Sequence, residues 1–361
     1  MVNRYFSLIF FICLLASHIE AKGLPWLDRI VDGALELPAI GAPMIVYAPE
    51  TNWAFGAAVQ GYFRCEGQQE SSMLQLTGAY TLNRQWYLQS KGTVYVGKNR
   101  TWFIQYDTGY RDFPDLTFNQ GNRLEVKQAI SYNSYRFYVK ASGLCSLGEN
   151  WSMGPQLHYI YERAEGIQPT ASMFGIGGVV QYDTRDGHFY PNNGLFFRFS
   201  GLHYESFTSS LSRMGLISTD LRQYVPVYKD IIFAWQFCTE WSVGTSPNRP
   251  FQILPVLGGE DLIRGLRVGM FRDDALWALQ GELRFPLFWL FSGTVFAGVG
   301  DVYHYTDWQW QIPKAGYGLG LRLKINKSNI NFRLDLARNN LYKSWTKRES
   351  YSFYLTVTEA F

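Results

Sequence analysis

Along most of the chain apolar and polar side chains alternate one by one. The final segment shows this plainly: Tyr351, Phe353, Leu355, Val357 and Phe361 fall on one face, and Ser352, Tyr354, Thr356, Thr358 and Ala360 on the other, with Glu359 interrupting the apolar set. A period of two puts the two sets on opposite sides of a strand. The same reading gives sixteen strand-like segments, at 43–48, 53–63, 72–81, 85–96, 101–111, 124–146, 150–163, 173–183, 194–204, 212–224, 230–242, 272–285, 292–302, 316–325, 329–338 and 351–361. Asn133-Ser134 offers a turn inside 124–146, but one strand there keeps the count even, as membrane barrels of this kind require. The connectors alternate too. One set is mostly short (97–100, 147–149, 326–328) and most of the other is long (112–123, 164–172, 243–271, 303–315, 339–350). Short periplasmic turns facing long outer loops, with a chain that ends on an aromatic strand, predict an all-β, 16-stranded antiparallel transmembrane β-barrel.

The N-terminus agrees with that placement. Arg4 precedes the apolar run Tyr5 to Ala16, then a polar stretch and Ala21, the layout of a secretory signal peptide cut after Ala21. The run is too short to span a bilayer as a helix. We therefore expect residues 1–21 as a signal peptide, 22–41 as a short N-terminal segment and 42–361 as the barrel. Within the middle segment Leu24, Leu27, Ile30, Val31, Ala34 and Leu35 recur at helical spacing. A short amphipathic helix and a frayed linker fit that spacing equally.

Composition sharpens the picture. The hydrophobic fraction is 47% yet mean hydropathy is −0.14, so apolar residues are dispersed among polar ones instead of gathered into helical spans. Aromatics reach 17%, the surplus that two interfacial girdles demand. A net charge of +3 argues against a nucleic-acid partner. Cys65, Cys145 and Cys238 remain after signal removal, widely spaced, with no disulfide framework or metal box. His158, His188, His203 and His304 show no ligand spacing, and no Gly-x-Ser-x-Gly elbow occurs. Gly316-x-Gly318-x-Gly320 lies in an alternating strand with no helix after it, which reads as small lumen-facing residues instead of a nucleotide loop. Asp183, Arg185 and Asp186 read as a charged turn. No cofactor, no metal and no enzymatic activity are expected.

The longest loop carries Gly258-Gly259-Glu260-Asp261-Leu262-Ile263-Arg264-Gly265-Leu266. Elsewhere stand Asp183-Thr184-Arg185-Asp186 followed by Pro191 and Gly194, then Tyr317 to Arg322 and Phe332 to Ala337, with Pro43 to Gly56 at the start. In that order these segments resemble the barrel domain of the BamA/TamA-type outer-membrane insertase superfamily, also called the bacterial surface antigen family, over residues 40 to 361. Ile263, Arg264, Gly265 and Leu266 match the family's loop tip in three of four places, Leu266 replacing an aromatic. Asp183, Arg185, Asp186, Pro191 and Gly194 match its charged turn.

The resemblance implies that the sixth outer loop folds back into the lumen and that its arginine is held there by acids. An arginine inside a barrel keeps its charge and needs acceptors. Gln280, Glu282 and Arg284 share the parity opposite Leu279, Leu283 and Phe285, so Glu282 faces the lumen and is the expected partner of Arg264. The family's second contact comes from Phe-x-Asp-x-Gly. Here that stretch is Phe296-Ala297-Gly298-Val299-Gly300, with Gly298 in place of the acid, so the lock is weaker or Asp301 or Asp335 substitutes. Phe361 is the expected C-terminal assembly signal, seated at the membrane interface.

For function the resemblance implies insertion or assembly of outer-membrane proteins, or polypeptide translocation, through an openable seam between first and last strands. The expected partners are outer-membrane lipids, unfolded outer-membrane protein clients and a periplasmic partner supplying the role of polypeptide-transport-associated (POTRA) domains, for which the short segment before the barrel has no room. A porin-like passive channel or structural surface antigen is the alternative.

Overall fold

The computed structural model describes residues 39–48, 52–63, 72–96, 101–117, 120–123, 130–165, 170–187, 190–207, 213–244, 250, 253–304, 313–324, 331–341, 351–356 and 361. The expected signal peptide and the 22–38 stretch lie outside them.

Eighteen strands occur among the described residues: β1 (Ala39–Ala48), β2 (Asn52–Phe63), β3 (Ser72–Thr81), β4 (Trp86–Val96), β5 (Trp102–Thr117), β6 (Ile130–Leu147), β7 (Trp151–Glu165), β8 (Ala171–Asp183), β9 (Gly194–Ser206), β10 (Arg213–Tyr228), β11 (Ile231–Val243), β12 (Val256–Leu257), β13 (Phe271–Arg272), β14 (Ala275–Phe288), β15 (Phe291–Tyr303), β16 (Lys314–Lys324), β17 (Asn331–Asn339) and β18 (Tyr351–Thr356). Sixteen of them close into one antiparallel barrel in which each pairs with its neighbour along the chain. The exceptions are the β11–β14 pair, which brackets the long loop, and the β1–β18 pair, which closes the cylinder. The two-residue strands β12 and β13 pair with each other inside that loop. Closure gives every one of the sixteen strands a partner on both sides, the requirement for a sheet that crosses lipid.

Alternation places the side chains. On β2 Phe55, Ala57 and Val59 are exposed on the outside while Ala54, Ala58 and Gln60 are buried. On β14 Leu279 and Leu283 face outward, whereas Gln280, Glu282 and Arg284 are buried. Exposed Leu74, Leu76, Leu88, Ile104, Ile176, Phe199, Phe233 and Leu319 extend the apolar exterior around the wall. Gln75, Thr77, Gln156, Gln236, Glu282 and Asp335 belong to the inner face. This division matches a barrel whose solvent is hydrocarbon outside and polar within.

β6 runs through Asn133 and Ser134 without a turn. β14 begins at Ala275, later than the alternation suggests, because Phe271 and Arg272 are drawn into the loop's own hairpin. β1 starts at Ala39, three residues before the expected domain boundary at 42.

Candidate functional site

The segment from Ile253 to Arg272 packs against inward-facing side chains on two sides of the barrel. Ile253 joins a buried cluster with Ile160 of β7, Met173 of β8, Leu202 and Tyr204 of β9 and Met214 of β10. Leu257, Ile263, Leu266, Met270 and Phe271 form another with Leu276 and Ala278 of β14 and Val302 of β15. These apolar contacts set the depth of the tip before any charge is considered.

The tip is a tight turn over Ile263, Arg264, Gly265 and Leu266: the Leu266 amide donates to the Ile263 carbonyl at 3.2 Å, and the Gly259 amide donates to Leu266 at 3.1 Å. Gly265 has φ +96°, and a Cβ there would lie 3.1 Å from the Arg338 backbone. Only glycine meets both demands without strain. The glycine row of β16 serves the same seat from below. The Arg264 carbonyl rests on Gly316, the Phe296 ring on Gly318, and the Asp335 and Arg322 side chains on Gly320.

Arg264 is 2% exposed. Its Nη2 donates to Glu282 Oε2 at 2.7 Å and its Nη1 to Asp335 Oδ2 at 2.7 Å. Its guanidinium carbon lies 3.6 Å from the centroid of the Phe296 ring, within cation–π range. Both acids have further partners. Arg284 Nε donates to Glu282 Oε1 at 2.6 Å, and Arg322 Nη1 donates to Asp335 Oδ1 at 2.5 Å. Arg333 reaches Asp335 at 3.5 Å and Glu260 at 2.8 Å. Burial raises the Glu260 carboxyl above its ordinary range, with the Arg333 guanidinium pulling the other way.

The structure thus brings Arg264 to Glu282, as the strand parity suggests, and supplies Asp335 of β17 as its second acid. Asp301 is committed elsewhere, to Lys314 Nζ at 2.6 Å. Gly298 lies beneath Ile263, 3.6 Å from a would-be Cβ. Arg284, Arg322 and Arg333 were not singled out from sequence, although their parity on β14, β16 and β17 marks them as inward.

The charged turn between β8 and β9 joins the same network. Asp183 holds Arg185 through two hydrogen bonds of 2.9 and 2.8 Å. Asp186 Oδ1 accepts the Asn192 and Asn193 amides at 2.9 and 3.3 Å. Gly194 has φ +114°, and a Cβ there would meet the Arg185 backbone at 2.7 Å. The Pro191 carbonyl accepts Arg284 Nη1 at 3.0 Å.

Phe361 departs from expectation. Its parity with Tyr351, Phe353 and Leu355 would point it at lipid, but it is 5% exposed and packs on Tyr224 and Ala234, inner-face residues of β10 and β11. Its main-chain oxygen accepts Arg284 Nη2 at 3.5 Å. The apolar niche and a nearby guanidinium outweigh the interfacial seat for a terminal ring.

Asp273, Asp274 and His304 also converge, their donor atoms within 4.8 Å of one another. His304 Nδ1 pairs directly with Asp274 Oδ2, and Gln120 Nε2 donates to Asp273 Oδ1 at 2.8 Å. These contacts tie the loop base to the end of β15. Spacing along the chain gave no hint of them.

A family model described as the Omp85 superfamily domain matches residues 114–361, more than half of the chain. The chain belongs to the Omp85 superfamily. Omp85 barrels reside in the outer membrane, and this one is similar in fold to two solved structures. The crystal structure of BamA from Haemophilus ducreyi lacking POTRA domains 1–3 superposes with a TM-score of 0.57 at 13% identity, covering 88% of this chain and 69% of that one. CdiB from Acinetobacter baumannii gives 0.58 at 13% identity, with 88% and 59% covered. This Omp85 barrel thus spans less than two thirds of the CdiB chain. Comparison with curated protein sequences found no match.

Proposed function

We propose that the barrel acts in insertion and assembly of outer-membrane proteins, or in translocation of polypeptides, with unfolded barrel proteins as clients and a periplasmic partner gathering them. The carrying observation is the tip of the long loop, pinned by Arg264 between Glu282 and Asp335 beside the strands that close the cylinder. A passive pore has no need of a buried ion network that anchors a loop tip on β14, β16 and β17, next to its closing strand β18. A device that must open there and reseal does. Ile263, Gly265 and Leu266 shape the tip, and Phe296 forms the floor under the arginine. In this reading the β8–β9 turn, through Asp183, Arg185, Asp186, Pro191 and Gly194, braces Arg284. Phe361 serves as the assembly signal of the unfolded chain before the barrel closes over it. Export by the 1–21 signal peptide delivers the chain to the periplasm.

The second reading, a passive channel, rests on a lumen chamber of about 210 Å³ lined by Lys140, Arg198, Asp220 and Glu240 together with Val256 and Leu262 of the loop. One experiment separates the two. The barrel is reconstituted in lipid vesicles, given a radiolabelled unfolded barrel substrate, and scored for folded product beside single-channel conductance. Faster substrate folding than in empty vesicles is expected. Steady conductance without acceleration would overturn the insertase reading in favour of the channel.

A further inference from the structure

The junction between β18 and β1 closes the barrel wall. All six described residues of β18 pair with β17, but only Phe353, Tyr354 and Leu355 pair with β1. What holds it comes from both faces.

On the inner face Tyr354 is 4% exposed and packs with Phe296, Ala337 and Val46. Its phenol oxygen accepts the Gly265 amide at 3.3 Å. Asn339, on the adjacent strand β17, donates from Nδ2 to the Gly265 carbonyl at 2.8 Å. Both backbone groups of one loop-tip residue are therefore spent on the last two strands. On the outer face Tyr47 and Phe353 are partners across the junction. The Trp53 ring of β2 lies 5.1 Å from Tyr47 and 6.1 Å from Phe353, a spacing at which aromatic rings attract.

We propose that Tyr354 is the positioning residue that couples the loop tip to the closing strand, while Trp53 clasps the same junction from the lipid side independently of the loop. Departure of the tip then removes the loop's hold on β18 and leaves the aromatic clasp and the strand pairing to resist opening. This deepens the reading given above, because the junction it regulates is the one a client would use.

Spin labels at Ile45→Cys and Leu355→Cys, in a background with Cys65, Cys145 and Cys238 replaced by serine, report the junction distance in vesicles without any client. Labels at Val180→Cys and Phe199→Cys, partners on β8 and β9, serve as reference. Tyr354→Phe keeps the ring and removes the acceptor. It is expected to raise the long-distance population at the junction about 2- to 10-fold, the range that one neutral hydrogen bond represents, and to expose the loop tip to protease. Trp53→Ala should raise the same population while loop protection stays at the parent level. If Tyr354→Phe yields no folded barrel, Asn339→Ala cuts the other arm and is read in the same way. An unchanged junction distance in the folded variant, or equal broadening at the reference pair, would overturn the coupling. Loss of client insertion in the parent with an intact junction response would instead remove the functional reading and leave the coupling standing.

Discussion

Replacing Arg264 by alanine tests whether the tip is locked by charge or merely by shape. Four arginines (264, 284, 322 and 333) face three acids (Glu282, Asp335 and Glu260) in this network. The formal balance is one positive charge in excess, so Arg264→Ala brings it to zero. Each acid also keeps a close partner, Arg284 at 2.6 Å for Glu282 and Arg322 at 2.5 Å for Asp335. The loss is then two charge-assisted hydrogen bonds and one cation–π contact, partly offset by relief of the excess charge. That places the cost near the lower end of the range for breaking a buried pair, about 3 kcal/mol. Asp335→Ala works the other way. It leaves two positive charges in excess and deprives Arg264, Arg322 and Arg333 together, so its cost belongs at the upper end, about 5 kcal/mol. Equilibrium urea unfolding in vesicles measures both, and limited proteolysis of residues 243–271 reports the loop itself. Combined with Glu282→Ala, Arg264→Ala should be non-additive by at least about 0.5 kcal/mol. A cost below about 1 kcal/mol for Arg264→Ala, as for a solvated surface pair, would refute the charge lock, as would the reverse ranking of the two variants.

Gly265→Ala should destabilise the tip by about 1–2 kcal/mol from its left-handed backbone alone, seen as faster loop cleavage with the barrel still heat-modifiable on gels. Gly298→Asp restores the family's acid but pushes on Ile263 and Gln280, so urea unfolding should show a loss of about 1–3 kcal/mol; a gain would mean that the tip has room for a third acid. Phe361→Asp puts a charge against Tyr224 and Ala234 and should lower the amount of assembled barrel in outer-membrane fractions; parental levels would contradict both the niche and the assembly role. Arg185→Ala takes the two-point partner from the mostly buried Asp183 and removes the guanidinium that lies 4.4 Å from the Phe196 ring centroid, so the same unfolding measurement should show a loss of about 3 kcal/mol.

The barrel was legible because strands buried on one side and bathed in lipid on the other must alternate, and this alternation survives in nearly every segment from Trp53 to Leu355. Parity also pointed Glu282 inward, and the loop motif named Arg264. What parity cannot supply is register. Whether Asp301 or Asp335 reaches the arginine depends on how far β15, β16 and β17 are staggered, and no single residue of those strands encodes that offset. The result is that Lys314 takes Asp301 and the loop tip takes Asp335. Phe361 was misplaced for a related reason. Its parity was counted along an ideal strand, whereas its seat is determined by Tyr224, Ala234 and Arg284, which are more than seventy residues away along the chain.

The loop tip also sets an order of events in folding. Its contacts bridge separations of 18 residues to Glu282, 71 to Asp335 and 89 to Tyr354, and its base reaches back 153 residues from Asp273 to Gln120. Contacts this distant in sequence form only after the intervening chain is in place. The tip cannot find Tyr354 until the last strand has been laid down, so the lock is a terminal step that follows the cylinder and does not template it. Protection of the loop from protease should accordingly lag behind the appearance of the heat-resistant barrel, and the interval between them is the period in which the newly closed wall stands without its inner latch.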